Sequence, residues 1–238
     1  MKARIKFRKY GTMKFIGHLD VMRFFQKAMR RAQIPIAFTA GYSPHMIMSF
    51  AQPLGVGITS DGEYMDVELT DKISTGQALD QLNKVMVEGI EVVDFVEISD
   101  EKKASGMTIT AAASYQVFLL ESSKTSDVTL PIPDMWKEKI PPFLSQEQIL
   151  VWKKTKRSEA EVDIRPMIYE MEERDGGIFL FLAAGSEQNL KPDLVMQTFL
   201  AYMNVDEGTA PLHYRRKELF ARNEKGEYIT LADMGSRV

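Results

Sequence analysis

The feature that most constrains this chain is a change of hydrophobic period within its first 32 residues. Residues 3–9 alternate, with Ala3, Ile5 and Phe7 on one side and Lys2, Arg4, Lys6 and Arg8 on the other. A period of two is that of a strand with one buried face. From residue 18 to 32 the apolar positions Met22, Phe25, Met29 and Ala32 recur every three or four residues, as in an amphipathic helix, and Arg23, Lys27 and Arg30 fall on its outer face. Pro35 stops that helix. Extended segments follow at 36–39 and 46–50, separated by the turn Gly41-Tyr42-Ser43-Pro44-His45, and a third alternates over 64–69. Ser74 has the character of a helix cap, and Ala78, Leu82, Val85 and Met86 form an apolar helical stripe. Gly89 closes it, and residues 90–98 read as a strand. The order over residues 1–100 is β-α-β-β-α-β.

A charged, small-residue hinge at 100–106 leads to what reads as the same order again. Residues 115–120 are expected to form a strand, and 122–142 a proline-rich irregular insertion. Ser145 is expected to cap a helix holding Ile149, Leu150 and Trp152, with Trp152 in the core. Residues 162–171 and 178–183 read as strands joined by the hairpin turn Asp175-Gly176-Gly177. A helix opens at Pro192, and residues 212–220 close the unit. The expectation is therefore an α+β protein of two tandem ferredoxin-like βαββαβ units, residues 1–100 and 107–238, each with two crossover helices on one sheet face.

Composition narrows the chemistry. The 238 residues contain no cysteine, which removes disulfides, thiolate zinc sites, cysteine nucleophiles and iron–sulfur ligation from this chain. No run of eighteen uncharged apolar residues occurs, and the first residues lack the apolar core of a secretory signal, so a cytoplasmic protein without membrane contact is expected. The net charge of −3 hides an asymmetry: residues 1–31 carry ten Lys and Arg against Asp20 alone, a surplus of nine, which leaves the rest of the chain at −12. Such an imbalance points to a polyanion-binding face on an acidic body. The bland alternative is a surface whose cations pair with acids from elsewhere in the chain.

The strand and helix periods say where those cations go. With Ala3, Ile5 and Phe7 turned to the helices, Lys2, Arg4, Lys6 and Arg8 are expected to emerge together from the open sheet face. Side by side they repel one another, so they need a polyanion or acidic groups to compensate them. Arg23, Lys27, Arg30 and Arg31 extend the basic surface along the first helix, and Arg215 and Lys217 alternate on the last strand in the same way. Open sheet faces of this kind are a seat for RNA, although no aromatic on the cationic side of the first strand is placed to stack a base. His18 and Asp20 open the first helix, where a carboxylate favours the helix dipole. His45 sits in a turn whose shape Gly41 and Pro44 hold. His18 and His45 are the candidate catalytic residues: a base beside a cation is the equipment of metal-independent RNA cleavage. A metal held by both histidines with Asp20 or Asp66 matches no known ligand spacing, and neither a metal nor a cofactor is expected.

The stretch from residue 4 to 69 carries a denser signature: Lys9-Tyr10-Gly11, Gly17-His18-Leu19-Asp20, Arg30-Arg31, Gly41-Tyr42-Ser43-Pro44-His45, Ser49-Phe50, Pro53-Leu54 and Glu63-Tyr64 with Asp66. It resembles the radical-SAM-linked family, a bacterial family of unknown function, and the stretches DIRPMIYEM and AGSEQNLKPDLV resemble its weaker C-terminal signatures. The resemblance implies action alongside a radical-SAM protein. It brings no established reaction and no agreed catalytic residue. Since this chain has no cluster-binding cysteines, radical chemistry would belong to the partner. The function expected is an RNA-binding adaptor, for tRNA or rRNA, that presents substrate to such an enzyme. A metal-independent RNA endonuclease, and a protein-docking subunit that binds no RNA, stand as alternatives.

Overall fold

A computed structural model describes residues 1–121, 128–154 and 159–238. It is an α+β protein that divides into two compact units, Met1–Ala112 with Arg216–Val238, and Ala113–Arg215. The first unit is thus discontinuous in sequence, and the division differs from the expected 1–100 and 107–238. Residues 100–106 are not a bare hinge. They contain a 3-10 turn at Lys102–Ala104 and lead into a short helix.

The first unit holds β1 (Lys2–Lys9), α1 (His18–Arg31), β2 (Met48–Phe50), β3 (Thr59–Glu68), α2 (Thr75–Asn83), β4 (Ile90–Ile98) and α3 (Gly106–Ile109). The alternation of residues 3–9 places β1 in the middle of an antiparallel sheet, with Ile5 opposite Met65 of β3 and Phe95 of β4. β2 pairs with β3 on its other side, which gives the order β4-β1-β3-β2. Ala3, Ile5 and Phe7 are buried against Phe25 and Met29 of α1, and the Phe7 and Phe25 ring centroids lie 4.7 Å apart. Burying a phenylalanine of this kind stabilises the fold by about 1.5–3 kcal/mol. Ser74 caps α2 as its sequence implies: its hydroxyl accepts from the Gln77 N–H while the Gln77 side chain accepts from the Ser74 N–H.

The second unit holds most of β5 (Thr110–Leu120), then β6 (Thr129–Leu130), α4 (Asp134–Leu144), β7 (Leu150–Lys154), β8 (Glu159–Asp163), β9 (Ile168–Arg174), β10 (Gly177–Ala183), α5 (Pro192–Tyr202) and the opening residues of β11 (Leu212–Arg222). Its strand order is β11-β5-β10-β9, while β7 and β8 form a separate hairpin. The β9–β10 turn lies within the expected Asp175-Gly176-Gly177, with Gly177 already in β10, and is made by Asp175 and Gly176. Both residues have positive φ, 52° and 74°, as a two-residue type I′ turn requires. β12 (Tyr228–Thr230) pairs with the far end of β11, back in the first unit.

Three expectations for this half are corrected. The helix lies before Ser145, not after it: Trp136, Ile140 and Phe143 of α4 recur at four and three and are buried, with Phe143 5.1 Å from Phe199 of α5. Pro141 and Pro142 sit in its last turns, where each forgoes one i→i−4 hydrogen bond. Of the expected irregular insertion at 122–142, residues 122–127 lie outside the described residues. The segment after Ser145 is the strand β7, so Val151 is buried and Trp152, expected in the core, is 72% exposed, while Trp136 is 3% exposed. The strand expected over 162–171 is interrupted by a 3-10 turn at Arg165–Met167, because Pro166 has no N–H for a ladder.

One backbone approach in the first unit leaves no room for a side chain. A Cβ on Gly62 of β3 would stand 2.8 Å from Glu218 Oε1 and 2.9 Å from the Lys217 carbonyl oxygen of β11. Gly62→Ala should therefore lower stability by about 1–3 kcal/mol through overpacking, read as a fall in the urea midpoint at unchanged slope. An unchanged midpoint would show that β11 is not held this close to β3.

Candidate functional site

Each cation of the β1 row is met by an acceptor within the first unit. The Arg4 side chain is 1% exposed. Its guanidinium donates to both carboxylate oxygens of Asp66, at 2.7 and 3.0 Å, to the Ala104 carbonyl at 2.9 Å and to the Leu231 carbonyl at 3.0 Å. Lys6 pairs with Glu218, Arg8 with Glu91 at 3.0 Å and Asp61 at 3.5 Å, and Lys2 donates to the Asp100 carbonyl. Lys217 pairs with Asp61 at 2.6 Å, and Arg215 is half-buried. The expected open face is thus closed at Arg4 by residues 102–109 and by the segment after β12. The compensation comes from acids that lie 53 to 212 residues away in sequence. Lys2, Lys6 and Arg8 keep partial exposure, but Arg4 has no donor edge facing solvent and is removed as a surface contact. A cavity of about 390 Å³ on the same face is lined by Lys2 and Lys102 together with Asp66, Glu68 and Glu101, a mixture of both signs that gives a polyanion no net attraction.

The α1 cations are different. Arg23, Lys27, Arg30 and Arg31 are all exposed. Arg23 has one long contact to Asp20 at 3.5 Å, and Arg31 donates to the Val85 carbonyl at 3.2 Å. Lys27, Arg30 and Arg31 surround an open groove of about 520 Å³, with Phe24 and Val87 as its apolar wall.

The two candidate histidines are placed in separate surroundings. His45 closes the turn it belongs to: its ring Nδ1 lies 3.1 Å from the Thr39 hydroxyl, its N–H donates to that hydroxyl at 3.2 Å, and its carbonyl accepts from the Thr39 N–H at 2.9 Å. Gly41, at φ +113°, permits the turn. His18 is half-buried at the start of α1, with its ring edge-on to Phe50 at 4.9 Å. Among the described residues no three His, Asp or Glu side chains are gathered where they could hold a metal ion.

What sequence reading missed is a buried ionic cluster beside His18. Lys9, Glu63 and Arg216 are 2%, 4% and 3% exposed. Arg216 donates to both Glu63 oxygens, at 3.0 and 3.2 Å, and to the Gln52 carbonyl at 2.8 Å. Lys9 donates to the Ile16 carbonyl at 3.1 Å. Burial pushes the Glu63 carboxyl above its ordinary range, opposed mainly by the Arg216 charge, and burial pushes the Lys9 ammonium below its ordinary value, opposed by Glu63. The signal was in the alternation: Lys9 shares parity with Ala3, Ile5 and Phe7, and Glu63 with Met65 and Val67, so both were charges written on a buried face. Lys9, His18, Pro53 with Leu54, and Glu63, drawn from four motifs dispersed along the first unit, line one small cavity here.

Arg216→Met should strand the Glu63 carboxylate and lower stability by about 3–5 kcal/mol near neutral pH, the usual result of removing one partner of a buried pair. The folded-state pKa of Glu63 is raised, so the folded protein binds the extra proton and the penalty develops as pH rises from 4.5, the ordinary carboxyl value, through the raised pKa. Denaturant titrations at several pH values check this. A loss that is independent of pH would mean that Glu63 is not the group left unpaired.

No curated protein matches the chain in sequence. A family model does match, over residues 2–192, and takes in all of β1 to β10 with the basic helix, the buried cluster and both candidate histidines. The chain belongs to the family described as uncharacterized protein conserved in bacteria (DUF2344).

Proposed function

We propose that this protein is an RNA-binding adaptor, for tRNA or rRNA, which presents its substrate to a radical-SAM enzyme in the bacterial cytoplasm, and that the outer face of α1 is where the RNA lies. The observation that carries this is the groove of Lys27, Arg30 and Arg31 against Phe24 and Val87. Cations spaced at three and four along one helix face reach successive phosphates, and an apolar wall beside them suits an unstacked base. Compensation of the β1 row by internal acids leaves α1 with the main share of the N-terminal surplus, so the polyanion surface moves from the sheet to the helix. The radical-SAM partner is supported by the motifs of residues 4–69, and the cytoplasm by the absence of cysteine. Among the described residues no helix is long and apolar enough to cross a membrane.

The ferredoxin-like reading is part of the same proposal. The order β4-β1-β3-β2 with α1 and α2 as crossovers supports it in the first unit, and β11-β5-β10-β9 with α4 and α5 supports it in the second. An adaptor needs a fixed surface more than a reactive one, and His45 is engaged in holding its turn.

Replacing Lys27, Arg30 and Arg31 together by Ser should leave the fold intact, since all three are exposed. If each contacts one phosphate of a single strand, the slope of log affinity against log salt should flatten by about 0.7 per contact, or about 2 in total. Binding measured against total tRNA and rRNA at several salt concentrations checks it. A folded variant with unchanged affinity and slope would sink the α1 surface, and wild-type protein that binds neither RNA would favour a protein-docking subunit.

A further inference from the structure

The buried cluster has more positive than negative charge, and it adjoins space. With Lys9, Arg216 and Glu63 all ionised its sum is +1, and protonation of Glu63 would raise it to +2. Arg216 grips Glu63 through both oxygens, so Lys9 is the cation left without a paired carboxylate. One of its three donors goes to the Ile16 carbonyl. Beside it lies a cavity of about 10 Å³, room for one water-sized atom, bounded by Lys9, His18, Phe50, Pro53, Leu54 and Glu63. α1 begins at this wall. Its N-cap is Gly17, which supplies no side-chain acceptor, and Gly17 accepts from the Asp20 and Val21 N–H groups, which leaves those of His18 and Leu19 as the unspent donors of the first turn.

We propose that this cavity is an oxyanion subsite: it takes one oxygen of a phosphate group onto the Lys9 ammonium, while the other oxygens stay at the mouth beside the His18 side chain and the first turn of α1. The cavity admits a single oxygen, so the body of the ligand remains outside. A phosphate that places one oxygen in the cavity keeps further oxygens for the imidazole and the helix amides, whereas a carboxylate keeps only one. The helix dipole adds to the attraction. A bound anion would also offset the desolvation that depresses Lys9, adding to the opposition that Glu63 already supplies. The site differs from the groove on α1 and does not depend on the RNA reading.

The test uses full-length protein and inorganic phosphate, with chloride at equal ionic strength as control. Phosphate should raise the melting temperature and shift the His18 ring resonances in NMR, where chloride does neither. Lys9→Met should weaken phosphate binding by about tenfold or more, as expected for one charge-assisted hydrogen bond, whereas Lys27→Ser, on the far part of α1, should leave it unchanged. Affinity should fall as pH rises through the lowered Lys9 pKa, because only the ammonium form binds. In the wild type alone, linkage requires phosphate to raise the Lys9 pKa, followed at Nζ by NMR. An unmoved Lys9 titration overturns the proposal whether or not the variant folds, and leaves the cavity to a buried water. Equal phosphate binding by Lys9→Met and wild type overturns it as well.

Discussion

The first unit depends on the Arg4 guanidinium. It projects from the central strand and joins β3 through Asp66, the 102–109 segment through Ala104 and the chain beyond β12 through Leu231. Asp66 also accepts from the Gly106 N–H at 2.6 Å, so one ion pair fixes the start of α3 as well. A guanidinium spreads five donors in a rigid fork, and here four bonds to three chain segments decide what covers the sheet. The nearby pairs, Lys6 with Glu218 and Arg8 with Asp61 and Glu91, repeat the pattern along the strand with more solvent and less consequence.

This arrangement also decides what the N-terminal charge is for. A surplus of nine over 31 residues looked like a single basic face. The structure divides it into a strand set compensated internally and a helix set turned outward. Charge counted along a sequence says nothing of where the opposite charge returns, and Asp66, Glu218 and Glu91 return from three other strands. The N-terminal cations most exposed to solvent are those of α1, whose neighbours along the helix are Phe24, Phe25 and Met29 and hold no acid beyond Asp20.

The elements of the first unit were legible because each states its period over enough residues: β1, α1, β4 and the Ser74-capped start of α2 follow from spacing and punctuation, although α2 ends at Asn83, before the Val85 and Met86 of the expected stripe. In the second unit the signal is shorter and the punctuation misleads. Ser145 has the chemistry of an N-cap but ends a helix, and Pro141 and Pro142 look like breakers but ride in its last turns. At the site, the parity of Lys9 and Glu63 was readable, while their third member was not. Arg216 lies between Arg215 and Lys217 on β11, and only tertiary pairing distinguishes the buried one of the three. His45 was singled out for its loop, and the loop is what it serves.

The discontinuity of the first unit has a consequence for how the chain is made. Residues 113–215 are contiguous and emerge from the ribosome in one piece, so the second unit can close while the first is still incomplete. Until residues 216–238 follow, Glu63 has no Arg216, Lys6 has no Glu218, and Arg4 lacks the Leu231 carbonyl. Val238 then ties down Thr75, and Arg237 ties down Asp94. The unit synthesised first is therefore finished last, and during that interval its carboxylates and cations are open to water and to chaperones.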